Sequence, residues 1–382
     1  MSRAPVIVGA AESSLGVTNK PRMALHAEGA VAALADAGLS LRDVDALYTT
    51  EVSRFPATSV AEYLGITPTW FESTMAGGAS YEIFVGHAAD AIRDGRCEVA
   101  LMTYGNNQRS ARSRRMGGVV DEHTPVPQFE VPYGPLSPIS LYAMAAQRHM
   151  HEYGTTSEQL AGVAVAARAW ALRNPKAFRH DAGPLTVDEV LSSPLVSDPL
   201  HAADCCLITD GGGAIVMTTA ERARDLSSRP VRVLGFGEVS TNNSMAAIPD
   251  LTAPGAHLAA ERAYAMAGLG PADIDVAQIY DSFTITVLLE LEALGFCARG
   301  EAGSFVQKGR IAPGGEFPLN TSGGGLSYCH PGILGLLLVV EAVRQLRGEC
   351  GDRQVEGART ALCHGTGGIL STHATVILGV EA

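Results

Sequence analysis

Two segments of this chain set proton-carrying side chains beside glycine. NTSGGGLSYCHPG, Asn320 to Gly332, places three glycines ahead of Tyr328, Cys329, His330 and Pro331, and ARTALCHGTGG ends a strand-like run at Cys363, His364 and Gly365. The imidazole of His330 has an ordinary pKa near neutrality and so can take or give a proton. A thiol at Cys363 can donate or accept a proton, or be a small core group. Tyr280, the first residue of YDSF, follows the strand-like VAQI and offers a phenol as acid or hydrogen-bond donor, while Asp281 reads as a cap for a helix starting near Ser282. The glycines at 323–325 let backbone approach a substrate closely. Arg109, Arg112, Arg114 and Arg115 are the main basic concentration, suited to phosphate, to a dimer partner or to a solvated loop. His87, inside a helical stretch, reads as a buried packing group.

The elements that must hold these residues alternate. Pro5–Gly9, Val44–Thr50, Glu98–Tyr104 and Gly213–Thr218 are strand-like, and Ala24–Ala37 and Tyr81–Asp94 are helical and stop at Gly38 and Gly95. This pattern predicts an α/β fold with a substantially parallel sheet. Residues 106–137 shift to Gln, Arg, Gly and Pro and read as an extended loop; helical patterns follow at Leu141–Tyr153 and Ser157–Ala177, then a Pro- and Asp-rich stretch to Asp204. An internal repeat organises the whole. AALADAGLSLRDVDAL at 32–47 is echoed by RAYAMAGLGPADIDVA at 262–277, and the helix and strand ending at Gly105 are echoed by those ending at Gly365. Packing of duplicated halves would bring two helix starts together, TMAGGAS before Tyr81 and SYCHPGILG before Gly335. Their unpaired N–H groups suit an oxyanion or a thiolate.

Composition bounds the rest. A chain of 382 residues that is 46% hydrophobic and 18% charged has apolar surface for a large core and a subunit interface. A net charge of −12 argues against a general nucleic-acid binder. Seven scattered cysteines without CxxC spacing point to a reducing cytoplasm. The apolar start is too short for a signal peptide, and the longest apolar run, Gly332 to Val340, is too short for a membrane span.

These motifs resemble those of the thiolase superfamily, in its sterol-carrier-protein-x or lipid-transfer-type branch, over nearly the whole chain. DCCLITDGGGAIV, Asp204 to Val216, resembles the closing segment of the family's first half. YDSF stands where the family has its NEAF-like motif, Cys329-His330-Pro331 falls on GHP, and Cys363-His364-Gly365 falls on CxG. The resemblance implies an α/β thiolase fold of two pseudo-twofold-related halves in a five-layered α-β-α-β-α arrangement. Residues 1–225 and 226–382 would be those halves, with a loop region at about 106–204 inserted in the first. It implies a coenzyme A thioester as substrate, no covalently bound cofactor, no metal, a homodimer core and a separate small partner with an OB-fold and a zinc ribbon.

One motif departs from the family. Aligning the glycine of TMAGGAS puts Met75 where the acyl-accepting cysteine belongs, and a thioether cannot form the thiolate that an acyl-enzyme requires. Cys97 lies beyond the helix, and Ser80 one turn into it. Relatives without the cysteine include aldolases that cleave a β-hydroxyacyl-CoA, with tyrosines at the YDSF and GHP positions; here the first is Tyr280 and the second is His330. The expected activity is therefore C–C bond cleavage or formation beside a CoA thioester, by a retro-aldol route. An acetyl-CoA acetyltransferase with a displaced nucleophile and a non-catalytic acyl-CoA or sterol-binding subunit stay open. The expected catalytic residues are His330, Cys363 and Tyr280, with Met75, Gly78, Gly324, Gly325 and Gly365 around the substrate and Arg112 and Arg115 on the CoA phosphates.

Overall fold

The computed structural model describes residues 3–113, 122–135 and 138–381. Its strands are β1 (Pro5–Glu12), β2 (Ala46–Tyr48), β3 (Trp70–Glu72), β4 (Ala100–Asn106), β5 (Leu195–Ser197), β6 (Leu200–His201), β7 (Gly211–Thr219), β8 (Val231–Ser240), β9 (Val276–Ile279), β10 (Thr360–Gly367) and β11 (Thr372–Gly379). The helices are α1 (Arg22–Ala37), α2 (Pro56–Leu64), α3 (Ser80–Arg93), α4 (Ile139–Tyr153), α5 (Ser157–Ala171), α6 (Val187–Ser192), α7 (Ala220–Ala223), α8 (Ala256–Ala267), α9 (Thr284–Ala293), α10 (Ala302–Phe305) and α11 (Gly335–Arg347).

Nine strands form one sheet in the order β3-β2-β4-β7-β1-β8-β11-β10-β9. Read outward from the central β1–β8 pair, the order repeats: β1, β7, β4, β2 on one side and β8, β11, β10, β9 on the other. Pairing repeats too, antiparallel for the first three members of each series and parallel between the last two. Both echoes in the sequence fall on equivalent elements, α1 and β2 with α8 and β9, and α3 and β4 with α11 and β10. The sheet is mixed, not substantially parallel, because β7 and β11 run against both of their neighbours.

Helices α3 and α11 are buried along most of their length, the polar residues Glu82, Glu341 and Gln345 included. They form the middle of five layers, between the two halves of the sheet, with α1 covering one outer face and α8 the other. Equivalent glycines let the outer helices close on their strands: a Cβ at Gly9 would lie 2.0 Å from the Ala33 carbonyl oxygen, and one at Gly235 would lie 2.2 Å from that of Ala263. The segment between β4 and β7 is more than a loop, since it contributes α4, α5, α6 and the β5–β6 hairpin. Helix α5 stops at Ala171, and Asn174 beyond it donates to the Ser322 carbonyl at 2.9 Å, tying this segment to the glycine-rich motif loop. No described helix is long and apolar enough to cross a membrane.

Two buried carboxyls at the middle layer are shifted in opposite directions. Burial alone would raise the pKa of Glu12, at the end of β1, but Arg344 of α11 and Lys176 hold it down, to about 2. Glu82 of α3 is buried against Gly335 and Gly365 and finds no hydrogen-bond partner beyond its own backbone, so burial pushes it up to about 8. Ionised Glu12 therefore stabilises the fold above its unfolded pKa of 4.5, by about 3 kcal/mol, and this is lost as pH falls toward 2. Glu82 acts with the reverse sign: the folded state holds its proton, and stability is lost as pH rises from 4.5 to about 8. Denaturant titrations across pH should show Glu12→Gln losing about 3 kcal/mol at neutral pH, a loss that fades in acid. Glu82→Gln should gain on the wild type progressively between pH 4.5 and 8.

Candidate active site

The two helix starts singled out by the repeat meet. A Cβ at Gly335, the first residue of α11, would lie 2.4 Å from the carbonyl oxygen of Gly78, in the turn that opens α3. Both turns border a cavity of about 280 Å³, through Met75, Gly77 and Gly78 on one side and His330, Gly332 and Ile333 on the other. Met75 stands exposed at its rim, with the Thr50 hydroxyl 3.5 Å from its sulfur. Ser80 turns away, donating to the Gly77 carbonyl at 2.8 Å and accepting the Ala76 N–H at 3.0 Å.

Tyr280 and His330 face each other inside this cavity. The end of β9 carries Tyr280, whose N–H donates to the His364 carbonyl at 2.9 Å, so β10 fixes the start of YDSF. Its hydroxyl lies 2.9 Å from Nε2 of His330, with the two rings edge to face. Burial lifts the phenol well above its ordinary value and keeps it protonated. Gly78 leaves room for that ring, since a Cβ there would sit 2.3 Å from it. Tyr104 of β4 holds the turn after His330, donating to the Pro331 carbonyl at 3.0 Å and accepting the Ile333 N–H at 3.2 Å.

Asp281 does not cap α9. Its carboxylate is fully buried and accepts the N–H of Gly325 at 2.6 Å and of Leu326 at 3.2 Å, with its pKa pushed up to about 7 by burial against these bonds. Gly324 and Gly325 thus serve this contact and do not line the cavity; a Cβ at Gly324, where φ is +59°, would lie 2.1 Å from Oδ2 of Asp281. Asn320 completes the tie, accepting the Ile279 N–H at 2.7 Å and donating to its carbonyl at 2.8 Å.

Cys363 is placed elsewhere. It is fully buried on β10, with its sulfur 3.7 Å from the Leu338 carbonyl of α11 and its thiol raised well above the ordinary value by burial. Alternation along the strand turns Cys363 to the middle layer, so this segment reaches the cavity through Thr366, Gly368 and Ile369 instead. Gly365 packs on Glu82, where a Cβ would come within 2.3 Å of the carboxyl. Arg112 is exposed and outside the cavity wall, Arg109 lies over Phe178 and donates to the Ile208 carbonyl at 3.0 Å, and Arg114 and Arg115 lie outside the described residues. His87 is half-exposed, not a core group. Hydrogen bonds to Glu238 and Glu72 push its pKa up to about 10.

The cavity also holds residues that the sequence reading gave no role at the site, some inside its motifs: Glu51, Gln108, Tyr142, Cys206, Ser282, Phe283 and Thr366. Glu51 follows β2 at the carboxyl end of a parallel strand, a position that commonly feeds active sites. Burial raises its pKa, with the Tyr104 hydroxyl, whose proton is shared with the Pro331 carbonyl, 3.3 Å from its carboxyl. Acid, base and thiol groups therefore converge on one apolar-walled pocket, next to two helix N-termini able to stabilise developing negative charge.

Residues 237–380 match the family described as thiolase C-terminal domain-like. The chain is 37% identical over 352 residues to the 17-hydroxy-3-oxo-4-pregnene-20-carboxyl-CoA lyase of Mycobacterium tuberculosis, covering 89% of this chain and 90% of that protein. It is 35% identical over 363 residues to an acetyl-CoA acetyltransferase of Methanothermobacter thermautotrophicus, covering 91% and 92%. Among solved structures, the Ltp2-ChsH2(DUF35) aldolase superposes with a TM-score of 0.89 at 35% identity, covering 99% of this chain and 98% of that one. With this sequence match, the five layers and the paired helix starts, the chain belongs to the thiolase superfamily, in its sterol-carrier-protein-x or lipid-transfer-type branch, and is a thiolase-like enzyme.

Proposed function

We propose that this enzyme cleaves a β-hydroxyacyl-CoA by a retro-aldol route, without an acyl-enzyme. The observation that carries this reading is the Tyr280–His330 pair at 2.9 Å in a cavity whose expected nucleophile position holds Met75. Retro-aldol cleavage consumes no net proton: the β-hydroxyl gives one up as it becomes a carbonyl, and the α-carbon takes one when the C–C bond breaks. One coupled acid–base pair is enough. Tyr280 relays the hydroxyl proton to His330 Nε2, the C–C electrons move into the thioester as an enolate, and Tyr280 returns the proton to the α-carbon. The turns that lead into α3 and α11, at Gly78 and Gly332, stabilise the enolate oxygen.

The substrate is a CoA thioester with a bulky apolar acyl group. Tyr142, Phe283, Ile333 and Ile369 offer the wall such a group needs, and relatives of similar length carry names of steroid-cleaving lyases and aldolases. The chain works in the cytoplasm as a homodimer core, with a small DUF35-type subunit of OB-fold and zinc-ribbon design, in keeping with the DUF35 assembly named in the solved relative. Arg112 and Arg115 are the residues assigned to the CoA phosphates.

A second reading is favoured by one feature: Cys206 lines the same cavity and supplies the thiol that Met75 lacks, as an acetyltransferase with a displaced nucleophile would need. Kinetics with a panel of β-hydroxyacyl-CoA substrates separates the two. Tyr280→Phe and His330→Ala should each lower kcat by roughly 10²–10⁴-fold with smaller effects on KM, while Cys206→Ala keeps most of its turnover. Full activity in His330→Ala, or its loss in Cys206→Ala, overturns the retro-aldol assignment.

A further inference from the structure

We propose that Glu290, His364 and His373 form a buried binding site for a first-row divalent cation, zinc above all, separate from the C–C cleavage chemistry. Glu290 lies on α9, His364 on β10 and His373 on the antiparallel β11, and none of the three has any exposed surface. Nε2 of His364 is 3.0 Å from one carboxylate oxygen and Nδ1 of His373 is 3.4 Å from the other. One ligand atom from each residue lies within 4.8 Å of the others, and the two rings stack at 5.7 Å.

Both histidines hold the Glu290 carboxyl well below its ordinary value by charge and hydrogen bonding, yet the hydrogen-bond geometry at the cluster is poor. His364 Nε2, both nitrogens of His373 and Oε2 of Glu290 are buried without a well-formed hydrogen bond among the described residues. Buried unpaired polar atoms are costly, and three of these, one from each residue, lie close enough together to share a partner. An ion supplies one. Zinc bonds of about 2.0–2.2 Å place neighbouring ligand atoms roughly 3.0–3.5 Å apart at right to tetrahedral angles, matching the two nitrogen-to-oxygen separations. Two imidazoles and a carboxylate also suit zinc and its first-row neighbours better than calcium or magnesium.

An outer shell is present as well. Nδ1 of His364 pairs with the Thr375 hydroxyl at 2.8 Å, which directs Nε2 toward Glu290, and the Thr366 hydroxyl donates to Oε1 of Glu290 at 2.8 Å. Thr366 lines the substrate cavity, so the cation would pin α9 to the β10–β11 pair directly behind the cavity wall.

Metal analysis of the full chain, purified alone in chelator-free buffer, tests this. About one zinc per chain is expected. Chelator-stripped protein should melt lower and recover on adding Zn²⁺, and Co²⁺ should give a visible d–d band that His373→Ala and His364→Ala abolish. Wild-type protein that holds no metal and gains neither stability nor a cobalt band reduces the cluster to an ion pair only and overturns the proposal. Full metal content retained in both variants overturns it too. The wild-type result decides even where a variant fails to fold.

Discussion

The buried carboxylate of Asp281 accepts the backbone N–H groups of Gly325 and Leu326 and thereby locks the glycine-rich motif loop onto the strand end that carries Tyr280. Neither member of the Tyr280–His330 pair is held by the other alone. Tyr280 is fixed by β10 through its backbone, and His330 is fixed by Thr209, whose hydroxyl accepts its N–H at 2.9 Å. Between the two motifs, Asp281 and Asn320 supply four hydrogen bonds within a few residues. Glycine at 324 follows from that closeness, since any side chain there would displace the carboxylate.

The same packing reaches across the pseudo-twofold axis. Tyr328 in the motif loop donates to Glu12 at the end of β1 at 3.1 Å, and Arg344 of α11 pairs with the same carboxylate, so the first half of the sheet steadies a loop of the second. Tyr104 of β4 does likewise for the turn after His330. A cavity at the junction of two halves gains precision from both, because neither turn can move without disturbing the central helices α3 and α11.

Much of this was legible in the sequence because duplication and turn chemistry leave local marks. Ala-Gly-Leu echoes located α1 and α8, and the glycine-rich turns located the two helix starts that meet at Gly78 and Gly335. Substitution of Met75 for cysteine narrowed the chemistry before any geometry was known. Long-range register was not legible. Whether Cys363 or Thr366 reaches the cavity depends on which face of β10 looks inward, which is set by pairing with β9 and β11 rather than by local pattern. Glu51 and Cys206 approach Tyr280 from segments more than 70 positions away in sequence, and Asp281 has the spacing of a helix cap but meets the loop first. The mixed sheet was missed for a related reason: strand direction for β7 follows from how the inserted α4–α6 segment returns, not from strand propensity.

The proposed retro-aldol route rests on Met75 at the rim and the Tyr280–His330 pair within the cavity. Intact mass spectrometry during turnover of a β-hydroxyacyl-CoA examines this point directly. A retro-aldol route leaves the chain mass unchanged while carbonyl product and the shortened acyl-CoA accumulate. An acyl adduct on the chain, formed and discharged at the turnover rate and mapping to Cys206, would contradict it.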